Sequence, residues 1–211
     1  MAHHTLKSGY AGLTERLNLF PQGATPSALL QKILSALFTE KEAALVSRLP
    51  IKPFTAEKAA AIWKMPRAEA EKTLEALAAR ALLLDIEEKG ETSYLLPPPM
   101  AGFFEFSLMR VRTDIDQKAL SELFYQYLNV EKDFIKSLFT EGETQLGRVF
   151  VHEPALPEDS ALHVLDYERA SEVIRTASHI GIGTCYCRHK MEHLGRSCDA
   201  PMEICMTLNH S

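Results

Sequence analysis

The chain has 211 residues, 46% of them hydrophobic and 24% charged, which is enough to bury one large core or two small ones. Its formal net charge of −5 gives no general attraction to nucleic acid or to an anionic membrane surface. No window of about 18 consecutive apolar residues is present to cross a bilayer, and the N-terminus carries no apolar signal core, so the expected compartment is the cytoplasm, where structural disulfides are unusual.

Residues 1–28 are weakly patterned and read as an N-terminal extension, with a loop at residues 18–23. Ser27 is placed to cap a helix whose Leu29, Leu30, Ile33, Leu34, Leu37 and Phe38 recur at helical spacing. A second helix, residues 40–48, ends before Leu49-Pro50. Thr55 caps a short helix over residues 56–63. Pro66 suits the first turn of another, about residues 66–81, with Ala70, Leu74 and Leu77 on one face. Leu82–Leu84 begin a strand, residues 87–91 form a turn, and Thr92–Leu96 return. Helices followed by a hairpin give the order of a winged helix-turn-helix, expected over residues 29–97. Pro97-Pro98-Pro99 then stops the pattern.

A winged helix that reads DNA needs a basic recognition helix, because phosphate contacts supply most of the affinity. Here Arg67, Lys72 and Arg80 stand against Glu69, Glu71 and Glu75, a sum of zero. The wing sets Asp85, Glu87, Glu88 and Glu91 against Lys89 alone, a sum of −3. Packing or protein contact is therefore expected of this domain rather than DNA binding.

Residues 98–145 are rich in Phe, Leu and Tyr and are expected as a helical linker whose aromatic side chains form core or the interface of a homodimer. Phe103–Val111 fits helix or strand, with helix the reading taken; Ile115–Leu128 and Phe134–Phe139 are helical. In the last region, residues 146–211, Arg148–His152 reads as a short strand. Asp166 caps a helix carrying Ala170, Val173, Ile174 and Ala177, and Gly181 and Gly183 break it. The fold class expected is mainly α with small β elements: a winged helix, a helical linker and a small α+β metal-binding unit.

All four cysteines lie in that unit, as Cys185-x-Cys187, ten residues, Cys198, six residues, Cys205. Free thiols, disulfides, structural zinc and an iron–sulfur cluster are the competing readings. Unrelated free thiols leave the clustering without a cause, and disulfides conflict with the expected compartment. Structural zinc usually takes Cys-x2–4-Cys knuckles, whose tight turn brings two sulfurs onto one ion, and no such pair occurs here. A Cys-x-Cys in extended chain places both side chains on one face with Cα atoms roughly 6.5–7 Å apart, a span suited to two corners of a larger object. An iron–sulfur cluster held by Cys185, Cys187, Cys198 and Cys205 is the reading taken, with zinc left open as the alternative. Arg188, His189, Lys190 and Arg196 lie between the second and third cysteines and would offset thiolate charge. Gly181, Gly183 and Gly195 would let backbone amides approach inorganic sulfur, and Pro201 would fix the loop before Cys205. His189 and His193, four apart, are expected around the metal or in solvent rather than as ligands.

The run Gly181–Arg188, followed by Gly195–Cys205, resembles a family of 4Fe–4S ferredoxin-type, iron–sulfur-binding proteins of anaerobic bacteria and archaea. The shared pattern is C-x-C-R, a glycine, C-x-x-P and a final cysteine. The likeness extends upstream to the winged-helix-like region, to Ile51–Phe54 and to Pro97–Ser107, so it covers most of the chain. It implies that Cys185, Cys187, Cys198 and Cys205 are metal–sulfur ligands. Members of that family continue past the last of these cysteines into tandem ferredoxin motifs, C-x2-C-x2-C-x3-C-P. The present sequence stops at Ser211, before them, so a truncated form, a fragment or a short member is implied and a multi-cluster electron path is not.

The function expected is one-electron transfer with a partner oxidoreductase, carried by the cluster, because no trustworthy nucleophile–base constellation is present. A redox-sensing winged-helix regulator and a structural zinc module for protein assembly are the alternatives.

Overall fold

The computed structural model describes residues 8–20, 22–88, 90–141 and 166–208. The expected strand at Arg148–His152 lies outside them. The described chain is mainly helical with two small antiparallel sheets.

The segment expected as an unpatterned extension contains a helix, α1 (Gly9–Leu17), capped by the Ser8 hydroxyl, which accepts from the Ala11 amide at 3.2 Å. Its apolar stripe is only Leu13 and Leu17, too short to stand out from the sequence, yet both are fully buried. Helix α2 (Ala28–Leu37) starts at the expected Ser27 cap, and α3 (Glu40–Val46) opens on a reciprocal Thr39–Glu42 capping box. Gly9 is required where α1 meets α3, since a Cβ there would lie 2.5 Å from the Glu40 carbonyl oxygen. Arg16 completes the joint. Its buried guanidinium donates Nε to the Leu49 carbonyl at 2.7 Å and Nη2 to the Pro50 carbonyl, satisfying carbonyls beyond the end of α3.

Helices α4 (Ala56–Trp63) and α5 (Arg67–Ala79) lead to the hairpin β1 (Leu84–Glu88) and β2 (Glu91–Leu95), in register from Leu84 opposite Leu95 to Glu88 opposite Glu91. Phe54 adds a backbone bridge to Tyr94, with N···O distances of 2.9 and 2.7 Å, and their rings stack. Ala70, Leu74 and Leu77 are the buried residues of α5, as their spacing requires.

After the three prolines the chain makes a tight non-helical turn, with Ala101 at φ +55°, and of the helix expected over Phe103–Val111 only one turn forms. A single turn, α6 (Phe104–Phe106), follows, and then α7 (Gln117–Tyr125), which continues as a wide turn to Val130. A short α8 (Asp133–Lys136) follows. Phe104 is fully buried at the centre of an aromatic cluster. Its ring centroid lies 5.0 Å from Phe103, 4.9 Å from Phe124, 6.1 Å from Tyr127 and 6.3 Å from Phe134. Phe103 reaches Phe38 at the end of α2, and Phe124 reaches Tyr186 near the end of the chain. One cluster of buried side chains thus runs from Leu13 to Tyr186, across the borders expected at residues 28 and 97. Burying each such leucine or phenylalanine contributes about 1.5–3 kcal/mol.

The remaining elements are α9 (Tyr167–Thr176), β3 (Ile180–Thr184), α10 (Tyr186–His193) and β4 (Glu203–Leu208), with β3 and β4 antiparallel. Asp166 caps α9 as expected, but none of the residues of α9 is buried. Gly181 and Gly183 lie inside strand β3 instead of a helix-breaking loop, and neither α10 nor β4 was expected.

Candidate metal centre

Strand β3, helix α10, the loop after it and β4 bring the cysteines to one end of the molecule. Cys185 is the residue between β3 and α10, and Cys187 is the second residue of α10. The pair therefore does not lie in extended chain as the spacing suggested. Thr184 donates its backbone N–H to Met109 at 2.8 Å and Cys185 donates to Met202 at 2.7 Å. Tyr186 then turns inward onto Phe124, which carries the chain into the helix. Cys205 lies in β4, and the register sets it opposite Gly183. Cys198 lies in the connecting loop. No thiol is in a disulfide; Cys187 and Cys198 are exposed, Cys185 and Cys205 half-buried.

Arg188 binds this group most directly. Its Nε donates to the Cys198 sulfur at 3.3 Å and its Nη1 to the Pro201 carbonyl at 3.2 Å. The guanidinium, helped by a backbone N–H bond from Ala200, holds the Cys198 thiol below the ordinary thiol range. Cys187 moves the other way, raised by burial and by the neighbouring Cys185 charge. Pro201 contributes its carbonyl rather than only a stiff loop.

The other expected neighbours divide. His189 is buried, and its Nδ1 lies 2.8 Å from the Leu108 carbonyl oxygen; since a carbonyl only accepts, Nδ1 carries the proton. It pins α10 to the segment after α6. Gly183 serves the same joint, because a Cβ there would press within 3.2 Å of the Met109 carbonyl oxygen. Arg196 binds elsewhere: it donates to the Tyr125 hydroxyl at 3.0 Å and covers that ring at 5.5 Å, tying the loop to α7. Residue spacing could not separate Arg188 from Arg196, because the turn at Gly195 decides which way the second one points.

One residue beside the thiols escaped the sequence reading, and a second was read only as a nearby cation. Tyr186, between the first two cysteines, is buried, with a hydroxyl that has no hydrogen-bond partner, and burial pushes its pKa up. Lys190 is buried with its Nζ 5.0 Å from the Tyr186 ring centroid. Burial lowers the Lys190 pKa, while Cys187 and Glu105 pull it back up. Lys190 was visible only as one of several nearby cations; its burial is a product of the fold.

Among the described residues no three His, Cys, Asp or Glu side chains close tightly enough to hold one metal ion. Four sulfurs around one tetrahedral zinc would sit about 3.8 Å apart. The four thiols instead share a region with cations set among them. This soft, all-sulfur donor set fits an iron–sulfur cluster chemically.

No family model, no curated protein and no solved structure matches this chain.

Proposed function

We propose that this protein binds one 4Fe–4S cluster through Cys185, Cys187, Cys198 and Cys205 and exchanges single electrons with a partner protein. The observation that carries this reading is the convergence of the chain's only four cysteines at one end of the fold, with Arg188 bound to one of them. When bound, such a cluster would supply reversible one-electron chemistry near the surface. The protein's own residues define its setting. Arg188 and Lys190 offset thiolate charge, β3 and β4 fix Cys185 and Cys205 relative to each other, and the exposed Cys187 and Cys198 mark the side open to a partner. Arg188 also donates to the Pro201 carbonyl, so one guanidinium ties the loop to the Cys198 thiol.

The acidic hairpin supports no role on DNA, and among the described residues no helix is long and apolar enough to cross a membrane. We place the protein in the cytoplasm, where thiols stay reduced. An all-cysteine donor set with no Cys-x2–4-Cys knuckle favours a cluster over a single structural zinc.

The deciding experiment is iron, acid-labile sulfide and zinc analysis of protein purified without oxygen, with its visible spectrum. About four irons and four sulfides per chain, and a brown absorption bleached by dithionite, are the expected result. About one zinc per chain and no colour would replace this proposal with a structural metal module.

A further inference from the structure

Tyr94, in β2, lines two clefts at once. Its backbone pairs with Phe54 and its ring stacks on the Phe54 ring at 6.4 Å between centroids, so the side chain is held in place with the residue only 4% exposed. Its hydroxyl has no hydrogen-bond partner among the described residues, and unlike the Tyr186 hydroxyl it is not sealed from solvent. A fixed ring that ends in an unengaged hydroxyl at a cleft offers both a donor and an acceptor to whatever enters.

What surrounds that hydroxyl is acidic. One cleft, of about 480 Å³, lies between α4, α5 and the hairpin and is lined by Glu57, Arg67, Glu71 and Glu91. The other, of about 340 Å³, is lined by Glu75, Asp85 and Arg110. Glu71 and Glu75 stand one turn apart on the same flank of α5, and Asp85 is the strand partner of Tyr94. Burial, and then the charges of Glu75, Glu71 and Asp85, raise the Tyr94 pKa, so the hydroxyl stays protonated among these carboxylates.

The two cations at the clefts are already engaged: Arg67 pairs with Glu57 at 2.7 Å, and Arg110 donates Nη1 to the Ala79 carbonyl at 3.0 Å. The carboxylates of Glu71, Glu75, Asp85 and Glu91 make no hydrogen bond or ion pair among the described residues. Five acidic and two basic groups line the clefts, a sum of −3, and Glu87, Glu88 and Lys89 of the same hairpin sequence bring it to −4. Lys52, Lys58, Lys64 and Lys72 line neither cleft, and Arg80 is paired with Glu42.

We propose that this double cleft is a docking site for a basic, arginine-bearing segment of a partner protein, with one guanidinium bonded to the Tyr94 hydroxyl and Glu71, Glu75, Asp85 and Glu91 pairing with its positive charge. A compact metal ion does not fit, because among the described residues no three such side chains close on one point. Nucleic acid is repelled by the same carboxylates. An extended cation matches acids set on both sides of one tyrosine. A guanidinium suits it best, since its planar fork of five donors can serve a hydroxyl and a carboxylate together, whereas an ammonium is a point charge. The inference concerns the clefts alone and holds whatever metal the cysteines take.

The test is fluorescence anisotropy of a labelled hexa-arginine peptide titrated with the full chain, with hexa-glutamate as the control. Binding is expected at about 50 mM salt and should weaken sharply at about 300 mM, where exposed charges are screened. Glu75→Gln combined with Asp85→Asn should weaken it about tenfold. Glu122→Gln combined with Glu131→Gln, the same change of charge outside the clefts, should alter it by less than about twofold. Tyr94→Phe should weaken binding about threefold or more with the thermal midpoint unchanged, since it removes no hydrogen bond within the protein. Amide NMR signals of residues 71–75, 85 and 91–94 should move on binding. Absence of binding at low salt overturns the proposal. Equal losses in the two charge variants overturn it too, since they would mean general attraction to an acidic chain. Wild-type affinity in Tyr94→Phe, or shifts confined to other residues, would likewise overturn it.

Discussion

Replacing Phe104 by alanine would remove the side chain through which the two halves of the molecule share a core. Phe104 is fully buried against four rings, and through Phe103 and Phe124 it links Phe38 on α2 to Tyr186 beside the cysteines. Phe→Ala changes in cores cost about 3–5 kcal/mol. The upper end is expected here, because four surrounding rings cannot collapse together into the space, and aromatic pairs add roughly 0.5–1.5 kcal/mol beyond their buried area. For a chain of this size each kcal/mol moves the midpoint by about 2–4 °C, so a loss near 5 kcal/mol lowers it by roughly 10–20 °C. The assay is thermal unfolding followed by Trp63 fluorescence. Trp63 is the only tryptophan; it is buried in α4 with its indole N–H donated to the Leu45 carbonyl at 2.9 Å. It therefore reports the helix–hairpin half, far in sequence from the substitution. A Trp63 transition that stays at the wild-type temperature while circular dichroism shows an earlier one would refute the shared core and make the half an independent domain.

Cys187→Ser should abolish or sharply reduce metal content and loosen residues 181–205, because metal binding and local folding are linked; full stoichiometry in the variant would remove Cys187 from the ligand set. Stripping the metal from the wild-type protein should leave Trp63 fluorescence unchanged, since no cysteine lies near its packing; a red shift would show that the metal supports the distant half. Arg188→Ala should raise the Cys198 thiol pKa in metal-free protein. Arg188 holds the folded value below that of a free thiol, so the thiolate persists to lower pH only while the guanidinium is present. Alkylation of Cys198 measured against pH should therefore shift its midpoint upward, and an unmoved midpoint would show that the 3.3 Å contact has no electrostatic effect. In the metal-loaded protein the same change should lower the reduction potential in voltammetry. Arg16→Ala should destabilise the fold by about 2–3 kcal/mol in urea, since the buried Leu49 carbonyl and the half-buried Pro50 carbonyl lose a charged donor; a loss below about 0.5 kcal/mol would mean that water takes over both bonds.

Much of the chain could be read directly from local chemistry. Ser27, Thr55 and Asp166 each begin a helix in the structure, because a side-chain oxygen facing free amides is a local signal that needs no tertiary partner. The periodicity of Leu30, Ile33, Leu34 and Leu37 and of Ala70, Leu74 and Leu77 marked their buried faces. The crowding of every cysteine into residues 185–205 marked where soft-metal chemistry would be sought. Helix α1 was missed because a stripe of two leucines is no pattern until α3 and Arg16 are packed against it. Helix α10 was missed because its buried side is Tyr186, His189 and Lys190, polar types whose burial depends on Phe124, Leu108 and the Tyr186 ring. The sequence alone determined which residues carry the sulfur and where most helices begin, since both are matters of residue type and near neighbours. Only the tertiary structure decided that Arg188 turns to the thiols while Arg196 turns to Tyr125, and that one aromatic core joins the helix–hairpin half to the cysteines. Those outcomes rest on contacts between residues tens of positions apart, whose geometry no local pattern encodes.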